Sequence, residues 1–322
     1  MSLPSHVDVV IVGAGPAGLS AALVLARCGR RILVCDRGTP RNWAAKRMHG
    51  FLTREGIAPQ EFLRLAEEEV RAFDCVRYWR GEIKEARAEG DGTFRVRVGD
   101  DDVRARKLLI ATGLEDRLPD VAGLRELFGS AVFNCPYCDG WEFRDQPLAA
   151  YGRRNRGFEM ARALTVWSRD VVLCTDGGSG LSPGQRDALQ RNGVRLVEER
   201  VASLEGSDGQ LRAIVFRSGL RVPRAALFFD TPSRGQSSLA GQLGCRFNRN
   251  GGVLCGQHEA TSVPGVFVAG NILRDVQLSI VAAAEGARAA FGINRALARE
   301  DFTRRATGHA AVEHPPVPAP QA

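Results

Sequence analysis

Cys135-Pro136-Tyr137-Cys138-Asp139-Gly140 is the segment whose residue types most directly do chemistry. Two cysteines separated by two residues can close into a disulfide and reopen when the segment starts a helix. The positive helix end lowers the pKa of the first thiol and raises its thiolate fraction. Asp139 stands beside the pair, placed to move a proton as the dithiol forms or breaks. The competing reading is half of a zinc site; no second Cys-x-x-Cys exists to complete it, and no metal is expected. Cys135, Cys138 and Asp139 are therefore the candidate catalytic residues.

The other six cysteines (Cys28, Cys35, Cys75, Cys174, Cys245 and Cys255) have no close partner in sequence and read mostly as small hydrophobes. One tight pair among scattered singles fits a redox site in a reducing compartment, and we expect a cytoplasmic protein.

A second kind of chemistry is written near the start. Gly13-Ala14-Gly15-Pro16-Ala17-Gly18 matches G-x-G-x-x-G. On its own this is weak. Here it follows the apolar run Val7 to Val12 and opens a helical stretch, Leu19 to Arg27. The strand-like Arg31 to Cys35 comes next and ends at the acid Asp36. That context makes it a phosphate cradle. The glycines permit a tight turn and close approach of a pyrophosphate, the helix N-terminus supplies free N–H groups, and Asp36 can take hydrogen bonds from ribose hydroxyls.

These groups need elements to hold them. Residues 37–58 form a long loop without periodicity, of the kind that is usually functional. Pro59 to Phe73 reads as a helix, Val76 to Val103 as short strands, and Lys107 to Gly113 as a buried strand ending at glycine. A strand-loop-helix-strand unit recurs at about 148–176, short strands continue to about Asp230, Gly265 to Gly270 is a late strand, and Asp275 to Arg299 is helical. The expected fold is α/β: two Rossmann-like dinucleotide-binding domains, the second inserted into the first.

The strand-GxGxxG opening, Ala111-Thr112-Gly113, the late Ala269-Gly270-Asn271 and the Cys-x-x-Cys-Asp-Gly segment together resemble the low-molecular-weight thioredoxin reductase family across residues 7–300. The resemblance implies that FAD is held by Gly13, Gly15, Pro16, Ala17, Gly18, Asp36, Arg37, Asn42, Ala111, Thr112, Gly113, Gly270 and Asn271. Gln277 and Leu278 would lie near the flavin pyrimidine edge, and His49 would lie in a loop passing the flavin. The bland alternative for His49 is a loop histidine bonded to backbone. By resemblance Cys138 faces the flavin, Cys135 exchanges with the partner disulfide, and Asp139 is the acid/base. Related dithiol oxidases often carry histidine in place of Asp139, so the aspartate leans toward the reductase branch.

The pattern breaks in the second glycine loop, Gly152-Arg153-Arg154-Asn155-Arg156-Gly157, where Arg154 replaces the second glycine. The later segment Thr175 to Gly180 has no arginine, where NADPH-dependent relatives hold the 2′-phosphate. Either the loop arginines bind phosphate in another geometry, or the domain keeps its fold and has lost the nicotinamide site; the second reading is favoured.

Composition closes off other classes. The chain is 44% hydrophobic and 25% charged, as in globular proteins. Its net charge is +7, yet the basic residues are dispersed and interleaved with acids, so no nucleic-acid role is expected. No apolar run spans a bilayer, so no membrane role is expected. The expected organisation is residues 1–115 plus 245–310 as the FAD domain, 116–244 as the inserted NADPH-type domain, and 311–322 as a disordered Pro-rich tail. The leading function is an FAD-dependent thiol-disulfide oxidoreductase acting on a thioredoxin-like protein or a small-molecule dithiol or disulfide, as a homodimer. An oxygen-dependent dithiol oxidase and a non-enzymatic flavin-bound redox sensor are the alternatives.

Overall fold

The structure, a computed structural model, describes residues 3–230 and 233–306. The chain starts with β1 (His6–Val12), α1 (Pro16–Arg27) and β2 (Ile32–Asp36). The apolar run Val7 to Val12 is buried, except that Asp8 stands among it. Asp8 is satisfied there: it accepts from the Arg31 amide at 2.9 Å and pairs with Arg106 at 3.2 Å. After the long loop come α2 (Pro59–Arg71), β3 (Val76–Arg80), β4 (Ala86–Ala88), β5 (Phe94–Val98) and β6 (Asp101–Ile110).

The outgoing link is β7 (Leu114–Asp116). The inserted part then runs through α3 (Leu124–Leu127), β8 (Val132–Phe133), α4 (Pro136–Asp139), β9 (Leu148–Tyr151), α5 (Arg154–Leu164), β10 (Val171–Cys174) and α6 (Pro183–Arg191). It continues with β11 (Arg195–Val197), β12 (Val201–Ser207), β13 (Gln210–Phe216), β14 (Arg221–Pro223) and β15 (Ala226–Phe229). The return link β16 (Ser233–Gly235) leads to α7 (Leu239–Gln242), β17 (Val266–Val268) and the long α8 (Ser279–Ala306).

One sheet runs β3-β2-β1-β6-β5-β4, with β17 also on β6; a second runs β11-β10-β9-β15-β8, and β12-β13-β14 form an antiparallel meander. In the first sheet β3, β2, β1, β6 and β17 are parallel while β5 and β4 are antiparallel. All pairings of the second sheet are parallel. Parallel strands covered on both faces must be apolar throughout, and Val171–Cys174 and Ala226–Phe229 are buried at every position. The fold is α/β with two Rossmann-like domains, the second inserted into the first.

The chain divides into two compact units. The first comprises Met1–Arg41, Gln60–Glu115 and Gly235–Ala322; the second comprises Asn42–Pro59 and Asp116–Arg234. The return from the second unit to the first falls at residues 234–235. Residues 42–59 join the second unit for local reasons. The Trp43 and Phe128 rings lie 6.0 Å apart. Gly129 must be glycine, because a Cβ there would stand 2.2 Å from the Ala44 carbonyl oxygen.

Residues 183–191 are helical where the sequence suggested short strands. Ser182 and Gln185 form a reciprocal capping box with Pro183 at the first helical position. Residues 311–322 lie outside the described residues.

Candidate active site

The first unit builds a backbone-lined cradle. β1 hands the chain to Gly13, whose φ of +105° suits glycine, and whose amide donates to the Cys35 carbonyl at 2.8 Å. A Cβ at Gly13 would stand 2.4 Å from the Ala111 carbonyl oxygen, and one at Gly18 would stand 1.8 Å from that of Gly13. These two glycines let β1, α1 and the end of β6 come together. Gly15 is different: nothing lies within 4 Å of where its Cβ would be. It is the N-cap of α1, no side chain caps that end, and Pro16 follows at the first turn. The free N–H groups and positive potential of α1 therefore open onto space beside Gly15.

Asp36 is more engaged than the sequence suggests. One carboxylate oxygen accepts from the Ala14 amide at 3.0 Å; the other accepts from Gly38 at 2.8 Å and from Arg80 at 2.9 Å. Each oxygen has two lone pairs, so the first retains one acceptor site for a ribose hydroxyl. Arg37 donates to the Thr39 hydroxyl at 2.5 Å.

Ala111 is anchored to Val12 at 2.8 Å, the Thr112 hydroxyl is buried without a hydrogen-bond partner, and Gly113 faces open space. At the far end Gly270 has φ +81° and donates its amide to Glu285 of α8 at 2.7 Å. Glu285 is buried, and burial, reinforced by Glu259 and Asp275, pushes its carboxyl up to about 7 against the Gly270 bond. Asn271 starts a 3₁₀ turn, Gln277 accepts from Arg41, and the Leu278 carbonyl starts α8 by accepting from Ala282 at 3.0 Å.

The orphaned Thr112 hydroxyl and the apertures at Gly15 and Gly113 fit a dinucleotide lying along this unit. Asn42 and His49 lie in the second compact unit.

The second unit holds the sulfurs. Cys135 and Cys138 form a disulfide, with Cα atoms 5.3 Å apart. Cys135 is the N-cap of the single-turn α4: its Sγ lies 3.1 Å from the Cys138 amide, and its carbonyl accepts from the Asp139 amide at 3.2 Å. Gly140 fits because a Cβ there would press 2.5 Å from the Pro136 oxygen and 2.8 Å from the Trp167 ring. Phe133 packs on Phe143 and Phe228, each at 5.4 Å, and Tyr137 stands edge-on to Trp167 at 5.6 Å.

Burial pushes the Asp139 carboxyl up to about 7; Glu142 adds to the rise and His49 opposes it. An acid poised near neutrality can both give and take a proton. Neither Glu142 nor Glu55, which bonds His49, is visible from the sequence as part of this site.

The second glycine loop closes on itself. Gly152 and Gly157 keep their roles, since a Cβ on Gly157 would stand 2.3 Å from the Gly152 oxygen. Arg154 adopts φ +52°, a region that disfavours side chains, and its amide donates to the Ser179 carbonyl at 2.8 Å. Its side chain lies over Gly180. Arg153 folds back over the end of β10, donating to the Thr175 carbonyl at 2.7 Å and also to that of Asp176. Asp176, two residues beyond the end of β10, accepts from the Val201 amide at 3.0 Å.

Among the described residues no group of His, Cys, Asp and Glu could hold a metal ion, and no helix is long and apolar enough to cross a membrane. His309 and His314 have a spacing that zinc ligands can use, and both lie outside the described residues.

The pyridine nucleotide-disulphide oxidoreductase family matches residues 7–286. Thioredoxin reductase tcpT of Claviceps purpurea is 34% identical over 289 residues, covering 84% of this chain and 88% of the relative. The crystal structure of HlmI superposes with a TM-score of 0.91 at 36% identity, over 96% of this chain and 98% of HlmI. The oxidoreductase from Agrobacterium tumefaciens gives a TM-score of 0.85 at 30% identity, over 91% and 99%.

The chain belongs to the pyridine nucleotide-disulphide oxidoreductase family, in its low-molecular-weight thioredoxin reductase-like class, and is a flavin-dependent disulfide oxidoreductase.

Proposed function

We propose that this enzyme exchanges electrons with a dithiol or disulfide substrate through Cys135 and Cys138, without a nicotinamide cofactor bound in its second domain. The observation that carries the thiol chemistry is the closed Cys135–Cys138 pair on a one-turn helix, followed by a carboxyl poised near neutrality. Cys135 at the N-cap is the exchange thiol, Cys138 is the sulfur on the flavin side, and Asp139 holds or gives the proton. FAD, when bound, supplies a two-electron donor and acceptor. Gly13, Gly15, Pro16, Ala17, Gly18, Asp36, Thr112, Gly113, Gly270 and Asn271 are the residues that would hold it. By resemblance the working form is a cytoplasmic homodimer, and the substrate is a thioredoxin-like protein or a small-molecule dithiol or disulfide.

The absence of a nicotinamide partner rests on Arg153 and Arg154. A bound pyrophosphate needs bare backbone at the second glycine position, and Arg154 puts a side chain there. Arg153 donates to the two carbonyls that follow β10. This observation also favours a second reading, the oxygen-dependent dithiol oxidase, which needs no nicotinamide donor.

Anaerobic flavin spectroscopy tests both parts. Dithiothreitol should bleach the flavin, whereas NADPH and NADH should leave it oxidised. Cys138→Ser should keep FAD and lose the bleaching by dithiothreitol; unchanged bleaching in that variant overturns the assignment. Under air, peroxide release with a dithiol substrate selects the oxidase reading, and its absence alongside reduction of a thioredoxin selects the reductase.

A further inference from the structure

Strand β17 runs along β6 as far as the pairing of Val268 with Ile110, and the Ala269 amide still donates to the Ile110 carbonyl at 3.2 Å. The next amide, that of Gly270, has left the sheet. A buried backbone N–H needs an acceptor, and here a side chain supplies it: Glu285 Oε2 of α8, at 2.7 Å. The Gly270 carbonyl is engaged as well, accepting from the Leu273 amide at 3.0 Å. Gly270 adopts φ +81° and ψ −160°, a region open essentially to glycine alone. Glycine is also the residue least able to keep one shape unaided, since it gives up the most backbone freedom on ordering. The bond to Glu285 therefore fixes this turn.

The same stretch of α8 meets the start of α1. A Cβ at Gly286 would stand 2.0 Å from the Ala17 carbonyl oxygen, and one at Gly270 would stand 3.1 Å from the Ala17 Cβ. Ala17 is the second residue of α1, just after the uncapped end at Gly15. Glu285 and Gly286 thus join the two segments of the dinucleotide cradle, one by a hydrogen bond and the other by close packing. Glu285 is only 9% exposed. Its carboxyl lies near its midpoint at neutral pH, at about 7. Neutral or ionised, it keeps an oxygen that can accept from Gly270, so the bond needs no particular charge state.

We propose that Glu285 is a positioning residue for FAD, holding the Gly270 amide so that the Gly270–Asn271 turn is fixed against the start of α1. This rests on reading Gly270 and Asn271 as part of the FAD cradle. Glu285 acts through the Gly270 backbone, and its contribution is preorganisation: without the bond, FAD binding must itself order the turn.

The test titrates FAD into flavin-free protein and follows flavin fluorescence together with the visible spectrum of the bound flavin. Glu285→Ala should raise the FAD dissociation constant about tenfold, the scale of one lost hydrogen bond to a buried group, and alter the bound spectrum. Glu285→Gln, whose amide oxygen can still accept, should stay within about threefold of the wild type and restore the spectrum. Glu259 is the control: it is another buried carboxylate attached to α8, paired with Arg288 at 3.0 Å. Glu259→Ala should bind FAD with wild-type strength.

An unchanged dissociation constant in Glu285→Ala overturns the proposal. So does an equal loss in Glu285→Gln, or an equal loss in Glu259→Ala, which marks general damage to α8. If Glu285→Ala does not fold, Glu285→Leu, which fills the space without an accepting oxygen, decides by the same criteria. Asn271→Ala separates the proposal from its premise. FAD binding of wild-type strength in that variant overturns the cradle reading and the proposal with it; weakened binding there beside an unaffected Glu285→Ala overturns the proposal alone.

Discussion

The molecule contains the same strand-loop-helix device twice, and the two copies have diverged at single positions. In the loop after β1, Gly15 leaves the start of α1 bare and facing open space. In the loop after β9, Arg154 stands at the matching place in a strained left-handed conformation, and Arg153 is bonded back to the end of β10. The steric skeleton is shared: Gly18 and Gly157 are each pressed against the carbonyl oxygen of the loop's first glycine. The lesson is that the outer glycines of the motif hold strand to helix, while the middle glycine decides whether a phosphate can approach. A fold can therefore keep the motif's frame after its ligand site has closed.

Three substitutions test this contrast. The largest effect is expected from Gly18→Ala, whose Cβ would meet the Gly13 oxygen at 1.8 Å. The variant should purify without flavin, read as lost absorbance near 450 nm. Gly157→Ala makes a comparable clash, at 2.3 Å, in the second loop; it should lower stability but keep its flavin. Equal flavin loss in both would erase the distinction.

Next comes Arg153→Ala combined with Arg154→Gly, which reopens the second loop. NADPH should then bleach the flavin at least about tenfold faster than in the wild type, equivalent to roughly 1.4 kcal/mol of barrier. An unchanged rate would mean that the arginines are not what closes the loop.

The smallest effect is expected from two acids, Asp36 at the end of β2 and Asp176 just beyond β10. Asp36→Ala should weaken FAD retention, seen as flavin released on dilution or gel filtration. Asp176→Ala should leave flavin content unchanged and cost about 1–3 kcal/mol of stability through the lost charged bond to the Val201 amide, measured by denaturant unfolding.

Much of this was legible in the sequence because the signals are local. The apolar run to Val12, the glycines at 13, 15 and 18, and Asp36 form one βαβ unit whose ligand site is set by the next few residues. The Cys135–Cys138 pair is likewise short-range. Arg154 could be flagged from its position alone, but the grip of Arg153 on Thr175 and Asp176 depends on how β9 and β10 pair.

What sequence reading missed has a common cause. Glu285 under Gly270, Glu142 beside His49, and Trp43 against Phe128 join residues far apart in the chain, and no periodicity reports a tertiary neighbour. The helix Pro183–Arg191 was missed for another reason: mostly polar, with only Leu189 buried, it lacks an apolar stripe, although its capping box was readable.

The attachment of residues 42–59 to the dithiol unit makes that unit discontinuous in the chain. Excising or transplanting residues 116–234 as one piece would leave Phe128 without Trp43 and Asp139 without His49. Evolution or engineering that exchanges this module between flavoproteins must therefore carry two stretches together, and the shorter one is written inside the gene segment of the neighbouring domain.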